Sequence, residues 1–580
     1  MKKVKIRSTG TALALALLIC ATGCRSRHGT PGTVEHKPNT PDYASNLQPL
    51  VASSTLPALK WPNYSDYQPL VQKFYNDRGF ELAWTRDGKP TAQATAFIQA
   101  IQDADKKGLN PEDYDASRWS DRIQQLNGKP AEAIANFDVA MTISVMRYIS
   151  DLHVGRVSPL HFNSEIDTQS KKYDLPQFLT EKAVDSSDVP ALLTSVEPDS
   201  DLYRQTEQAL VHYLDLAKQQ GTPEPLPDVS KALSVKQPYP AAAQLWQRLQ
   251  LEGDAPSDGE APTNYSQALS DAVKNYQHRH GIAEDGKLTP ATLKSINVPL
   301  SARVTSLQDS LERWRWLPDP YLNPSLMVNL PEFLLRGFND QHHMDFTMKV
   351  VDGKVKGDHE TPVFTHMMKY LIFRPYWNVP VSIAKKELVP HMNARPGYLE
   401  AKNYEVTDNK GKVLTEYTTH QVEHSMVQVR EKPGPGNSLG LVKFMFPNQY
   451  DIYLHSTPET FLFARTRRDY SHGCVRVQHP DDLAAWVLNG QQGPGNEEWD
   501  LQKVQDAMNT GKDNNQVNLK KQLPVVIFYL TAFPAEDGQI HFFDDIYMYD
   551  QQLNDALAKG MPYPQKPEPI TPKTKPGDTV

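Results

Sequence analysis

Ile452-Tyr453-Leu454-His455-Ser456-Thr457-Pro458, then a loop holding Arg465, Arg467 and Arg468, then Ser471-His472-Gly473-Cys474-Val475-Arg476-Val477: these two runs carry the reading of this 580-residue chain. A β-rich run delivers His455 and a tight turn delivers Cys474. Pro480-Asp481-Asp482 then opens a helix through Leu483, Trp486 and Val487. A thiolate is a strong nucleophile, but a free cysteine is only partly ionised at neutral pH. A nearby imidazole can take its proton, and a cationic surround lowers its pKa. In an extended segment the side chains at i and i+2 run alongside each other, so His472 does not converge on Cys474. His455 is distant in sequence and free to be aimed at it. His455 is therefore assigned as base and His472 as support. Gly473 has no side chain to keep backbone N–H groups from an oxyanion.

Two other readings compete. Two histidines and a cysteine are possible zinc ligands, but a fourth ligand at fixed local spacing is missing and His-x-Cys is a poor metal pair. A lone cysteine is more often a buried apolar residue than a catalyst; the Ser-His-Gly-Cys turn and its arginines argue against that here. Residue types alone stop at a Cys/His acyl-transfer site needing no metal or cofactor.

Working outward, residues 303–555 read as mainly β. Leu326–Leu330, Gly440–Phe446, Asp451–His455 and Val525–Leu530 are β-rich, with turn signals at Asp352-Gly353, 409–411 and 434–437. Residues 238–300 read as a small helical unit. Leu269, Val273 and Tyr276 mark one helix face; Asp285-Gly286 is a turn; Thr289-Pro290 caps a further helix through Leu293 and Ile296. Residues 61–235 read as a helical scaffold domain. Ala94, Phe97, Ile98, Ile101 and Ala104 fall at helical spacing behind Thr91, and Ile134 to Leu152 form a second helix. Residues 24–60 read as a flexible tether and 562–580 as a disordered tail.

At the N-terminus Lys2, Lys3, Lys5 and Arg7 precede an apolar run, Ala12 to Ala21, about half the ~20 residues needed to span a bilayer. That is a signal peptide over residues 1–23, and its removal takes the net charge from −8 to −12 by loss of four cations. Three cysteines exclude a disulfide scaffold, and with Cys20 in the leader, Cys474 is the one thiol left besides Cys24. A pI near 6.1 excludes a broadly basic nucleic-acid binder, and a mean hydropathy of −0.56 excludes a polytopic membrane protein.

Ala21-Thr22-Gly23-Cys24 resembles a bacterial lipobox, which implies lipidation of Cys24. With Arg25 after it, the resemblance implies a periplasmic protein anchored in the outer membrane. The 238–300 pattern resembles a three-helix peptidoglycan-binding domain. His455, fifteen residues, then Ser-His-Gly-Cys-Val-Arg resembles the signature of the L,D-transpeptidases. Trp377-Asn378-Val379-Pro380, Pro396 to Glu400, Pro433 to Gly440 and Phe528 to Phe533 resemble the large multidomain Gram-negative branch. That branch joins a helical scaffold, a peptidoglycan-binding module and a mainly β catalytic domain with a capping insertion, here about 376–425. The resemblance implies Cys474 as nucleophile, His455 as base, the Ser456 carbonyl as orienter of the imidazole, and His472, Gly473 and the Cys474 N–H around the oxyanion. It also implies peptidoglycan stem peptides as substrate, with Arg476, Trp377, Asn378, Tyr398 and Tyr453 as candidate binding residues. Lys385, Lys386, Glu387 and Arg395 read as a solvated face of the cap.

Overall fold

A computed structural model describes residues 43–128, 130–355 and 359–563. The leader, Cys24, the tether up to Asp42 and the tail beyond Tyr563 lie outside the described residues. The rest of the expected tether is not a tether. Ala44–Ala52 is a helix whose Leu47 and Val51 are buried, and Leu56 and Leu59 continue into the same core. Of the expected 562–580 tail, Pro562 and Tyr563 are described and are not free: Tyr563 is buried and donates to Asp113 at 2.8 Å. Among the described residues, no helix is long and apolar enough to cross a membrane.

The N-terminal region is helical. The Thr91 hydroxyl caps Ala92–Gln102 by accepting from the Ala94 N–H at 3.1 Å. Helix α1 (Ala131–Val154) is buried on nearly every side. Its Asp138 accepts from the Tyr75 hydroxyl and from the Ala83 and Trp84 N–H groups, so the buried carboxylate is satisfied. Helix α2 (Asp201–Gln220) closes the region.

The next unit is three helices, α3 (Ala242–Leu251), α4 (Gln267–Arg279) and α5 (Pro290–Ile296), around a core of its own that includes Leu245, Trp246, Leu269, Val273, Tyr276 and Leu293. Ser266 and Thr289 cap α4 and α5.

Strands were expected from Arg303, but Leu300–Trp316 is a helix, α6. Leu300, Val304, Leu307, Leu311 and Trp314 repeat every three or four residues, and the charges between them obscure that stripe. Those charges are buried in pairs. Glu312 accepts from Arg156 Nε at 3.0 Å, Arg313 pairs with Asp550 at 2.5 Å, and Arg315 donates to the Tyr203 hydroxyl at 3.0 Å.

The C-terminal region is a nine-stranded sheet: β1 (Leu326–Asn329), β2 (Leu334–Phe338), β3 (Met344–Gly353), β4 (Phe364–Phe373), β5 (Val442–Met445), β6 (Leu454–His455), β7 (Asp469–Ser471), β8 (Val475–Val477) and β9 (Asn515–Phe528). The order is β7-β3-β8-β6-β5-β4-β9-β1-β2, and β2 also pairs with β3, so eight strands close into a ring. Closure removes the exposed edges that invite aggregation. Asp352-Gly353, expected as a turn, ends β3. The glycine serves close approach: a Cβ there would lie 1.8 Å from the His359 carbonyl oxygen.

The insertion between β4 and β5 has its own four-stranded sheet (Trp377–Asn378, Tyr404–Thr407, Val413–Leu414, Gln428–Glu431) and a core that includes Val379, Leu399, Val406, Val422 and Val429. It runs to Glu431, past the expected 425, because its last strand pairs back onto Trp377 and Asn378.

Candidate active site

Strands β6 and β8 run parallel at the site, with Leu454 beside Val475 and His455 beside Arg476; on the other side of β6, Lys443 of β5 faces His455. Side chains alternate across a strand. Leu454, Val475 and Phe444 therefore point into the core, fully buried, while His455, Arg476 and Lys443 share the opposite face. Two residues further back, Tyr453 and Cys474 fall on that same face, where the ladder continues from the Val475 N–H to the Tyr453 carbonyl at 3.1 Å. The Tyr453 ring centroid is 5.8 Å from that of His455, and its hydroxyl bonds the thiol of Cys474.

His455 is buried, and its Nδ1–H donates to the Ser456 carbonyl at 2.5 Å. A carbonyl only accepts, so Nδ1 carries the proton and Nε2 keeps its lone pair. Burial, helped by the Arg476 charge, pulls the imidazole down to about 3, against the carbonyls of Ser456 and Leu439. The half-buried thiol of Cys474 donates to the Asp451 carbonyl at 3.6 Å. Burial pushes it up to about 11, although Tyr453 and Lys443 favour the thiolate. Both groups are thus neutral near pH 7. Iodoacetamide alkylation of the free protein should climb with pH toward about 11 without a step near neutrality. A plateau beginning near neutrality would mean a preformed thiolate–imidazolium pair.

The arginine loop does not provide the cationic surround expected of it. Arg465 donates to the Tyr470 hydroxyl, Arg467 pairs with Asp469, and buried Arg468 donates to the carbonyls of Val350, Arg465 and Phe333. These arginines fasten the loop. The cation acting on the thiol is Lys443, which the sequence did not single out. Only its register opposite His455 reveals it.

The turn itself is tightly tied. The Gly473 N–H donates to Ser471 Oγ at 3.1 Å, Ser471 Oγ–H donates to the Cys474 carbonyl at 2.6 Å, and Thr361 Oγ1–H donates to the Gly473 carbonyl at 2.7 Å. Gly473 has φ +122°, in the region favouring glycine. His472 Nε2 bonds Glu387 of the cap at 2.8 Å. Glu387, read as solvated, thus reaches the catalytic turn. Arg476 pairs with Glu459. Trp377, Asn378 and Tyr398 belong to the cap: the first two lie on its sheet, and Tyr398 stacks on His391 at 4.9 Å. Trp377 and Tyr398 pack on the cap's own core.

Gly440 supports His455 from behind. Its φ is +61°, and a Cβ would stand 2.3 Å from Ser456 Oγ and 2.8 Å from the Ser456 carbonyl carbon. Gly440→Ala should cost roughly 1–3 kcal/mol in chemical denaturation. It should also slow acylation of Cys474 among the molecules that remain folded, because Ser456 holds the imidazole. Unchanged acylation would separate Gly440 from the site.

The family model described as the L,D-transpeptidase catalytic domain matches residues 323–517, which contain every group above from Lys443 to Arg476. Residues 323–517 are therefore similar to the L,D-transpeptidase catalytic domain. A family model for a peptidoglycan-binding domain matches residues 239–296, and a scaffold-domain model matches 69–210. A Haemophilus influenzae protein whose name places it provisionally among the L,D-transpeptidases is 29% identical over 316 residues. That match takes in 52% of this chain and 62% of the relative. Two solved structures have a low overall likeness. One is an L,D-transpeptidase from Xylanimonas cellulosilytica, at 13% identity and TM-score 0.15, covering 52% of this chain and all of the other. The other is a fused Zn-dependent amidase/peptidase/peptidoglycan-binding protein from Clostridium acetobutylicum, at 12% and 0.14, covering 51% and 99%.

Proposed function

We propose that this chain is an L,D-transpeptidase that uses Cys474 to open the tetrapeptide stem of peptidoglycan and His455 to move the protons. As the sulfur attacks the carbonyl of stem residue three, the thiol proton passes to His455 Nε2. The oxyanion collapses, the C–N bond breaks, and the same proton leaves on the amine of D-alanine. An amine of a second stem then attacks the thioester, gives a proton to His455, and expels the Cys474 thiolate, which takes that proton back. A diaminopimelate acceptor yields a 3-3 cross-link. The observation that carries this is the sharing of one sheet face by a neutral thiol and an imidazole whose Nδ1 is already committed to Ser456. Because both start neutral, proton transfer accompanies attack rather than preceding it.

In this reading Arg476 and Tyr453 border the acyl group, His472 and Gly473 shape the turn around the oxyanion, and Trp377, Asn378 and Tyr398 meet substrate from the cap. The three-helix module holds the polymer near the site, raising the local stem concentration. Lipidation of Cys24, with anchoring in the outer membrane on the periplasmic side, completes the proposal. Incubating the purified protein with tetrapeptide muropeptides and weighing the products tests it. A cross-linked dimer with loss of D-alanine supports transfer, a trimmed monomer means that water is the acceptor, and unchanged substrate overturns both.

A further inference from the structure

We propose that His278, Asp537 and His541 form a zinc site that clips the three-helix module onto the catalytic domain. His278 lies in the last turn of α4, while Asp537 and His541 lie on the hairpin whose strands are Ala532–Pro534 and Ile540–Phe542. One potential ligand atom from each of the three lies within 4.8 Å of the other two.

The arrangement is more than proximity. His541 Nε2 is 3.0 Å and His278 Nε2 3.5 Å from the same oxygen, Asp537 Oδ2. For ligands about 2.0–2.1 Å from a tetrahedral zinc, the ligand–ligand edge is about 3.3–3.4 Å, so two of the three edges are already close to length. The other nitrogen of His278, Nδ1, is 3.0 Å from Glu284 Oε1. A carboxylate accepts, so Glu284 holds the proton of His278 on Nδ1 and aims Nε2 at Asp537. A carboxylate behind a histidine that faces a shared centre is the support metal-binding imidazoles commonly have.

Two imidazoles and one carboxylate suit zinc, with a water in the fourth position. His541 is buried, whereas His278 is half exposed and Asp537 partly so, which leaves an entry path from solvent. Around the cluster the two domains touch mainly through rings: His280 stacks on Phe542 at 5.5 Å, and the bare Cα of Gly281 faces Phe543. A metal bond would add a directional tie to this apolar contact. The neighbouring residues Arg279, Gly538, Gln539 and Ile540 also line a cleft of about 870 Å³ shared with α2 and the catalytic sheet, so the clip would fix the width of that cleft.

The test uses the chain without its leader carrying Cys24→Ala and Cys474→Ala, which removes both remaining thiols as competing ligands, stripped with EDTA and titrated with zinc chloride by calorimetry. We expect one tight equivalent and a rise in Tm, with Co²⁺ giving the visible bands of tetrahedral coordination. His278→Ala, at a half-exposed position where folding is not at stake, should weaken binding at least tenfold and abolish the Tm rise. Glu284→Gln should weaken it by about 10–100-fold, as for outer-shell partners generally. His420 and His424, 4.2 Å apart on the cap, are a second zinc-binding pair to control for. Zinc affinity unchanged in His278→Ala would assign the ion elsewhere and overturn the site. No tight equivalent in the parent would overturn it too. Tight binding at His278 without a Tm rise would overturn the clip.

Discussion

Purified Cys474→Ala protein should form no cross-linked muropeptide and take up no carbapenem adduct by intact mass. Its melting temperature should stay within a few degrees of the parent. The loss is complete because the sulfur is the atom that becomes acylated, and among the described residues no second thiol exists to replace it. The stability cost is small because Cys474 is only half buried, its bond to the Asp451 carbonyl is long at 3.6 Å, and its other side-chain partner is the Tyr453 hydroxyl. The turn is held instead by Ser471, Thr361 and backbone bonds that alanine leaves intact. A cost of about 1 kcal/mol is typical of such a change. Cross-linking retained by this variant would end the cysteine mechanism.

His455→Ala should lower the rate of acylation by roughly 10²–10⁴, the usual worth of a positioned general base, and His472→Ala by much less. A thiol held near pKa 11 yields almost no thiolate at neutral pH without a partner to take the proton. His455 can take it, since its Nδ1 is occupied by Ser456 and Nε2 remains. His472 is differently employed, with Nε2 bonded to Glu387. His472→Ala would loosen the contact between cap and turn, slowing acylation while leaving some. Raising the pH should partly rescue His455→Ala, because hydroxide then does the base's work. Equal losses in the two variants, or a larger loss in His472→Ala, would reverse the assignment.

The sequence made the local pattern legible where one residue's chemistry suffices. Thr91 and Thr289 announce helix starts by hydroxyls that can only be caps, and the Ser-His-Gly-Cys turn announces a nucleophile. It hid what depends on neighbours distant in the chain. Helix α6 fell inside a stretch read as mainly β, and its Arg313 and Arg315 each find a partner, Asp550 or Tyr203, that no local window contains. Lys443 looked like an ordinary strand lysine until register put it opposite His455. The three arginines before the turn looked electrostatic and are structural, because side-chain direction decides and composition does not report it. Glu387 looked solvated because nothing along the cap tells which of its loops reaches the turn.

Tyr563 and Asp113 meet across 450 residues. A chain made from its N-terminus must therefore keep Asp113 waiting for its partner until residue 563 has been added. Until then Asp113 lacks that hydroxyl, Arg313 lacks Asp550, and the ring lacks β9, which pairs with both β4 and β1. Contacts this distant form late, after a long loop has been closed. The molecule is therefore poorly suited to being cut into its apparent parts. A catalytic fragment begun at β1 would leave Asp550 without its guanidinium, and a chain stopped before Tyr549 would leave α6 without the helix that covers its charges.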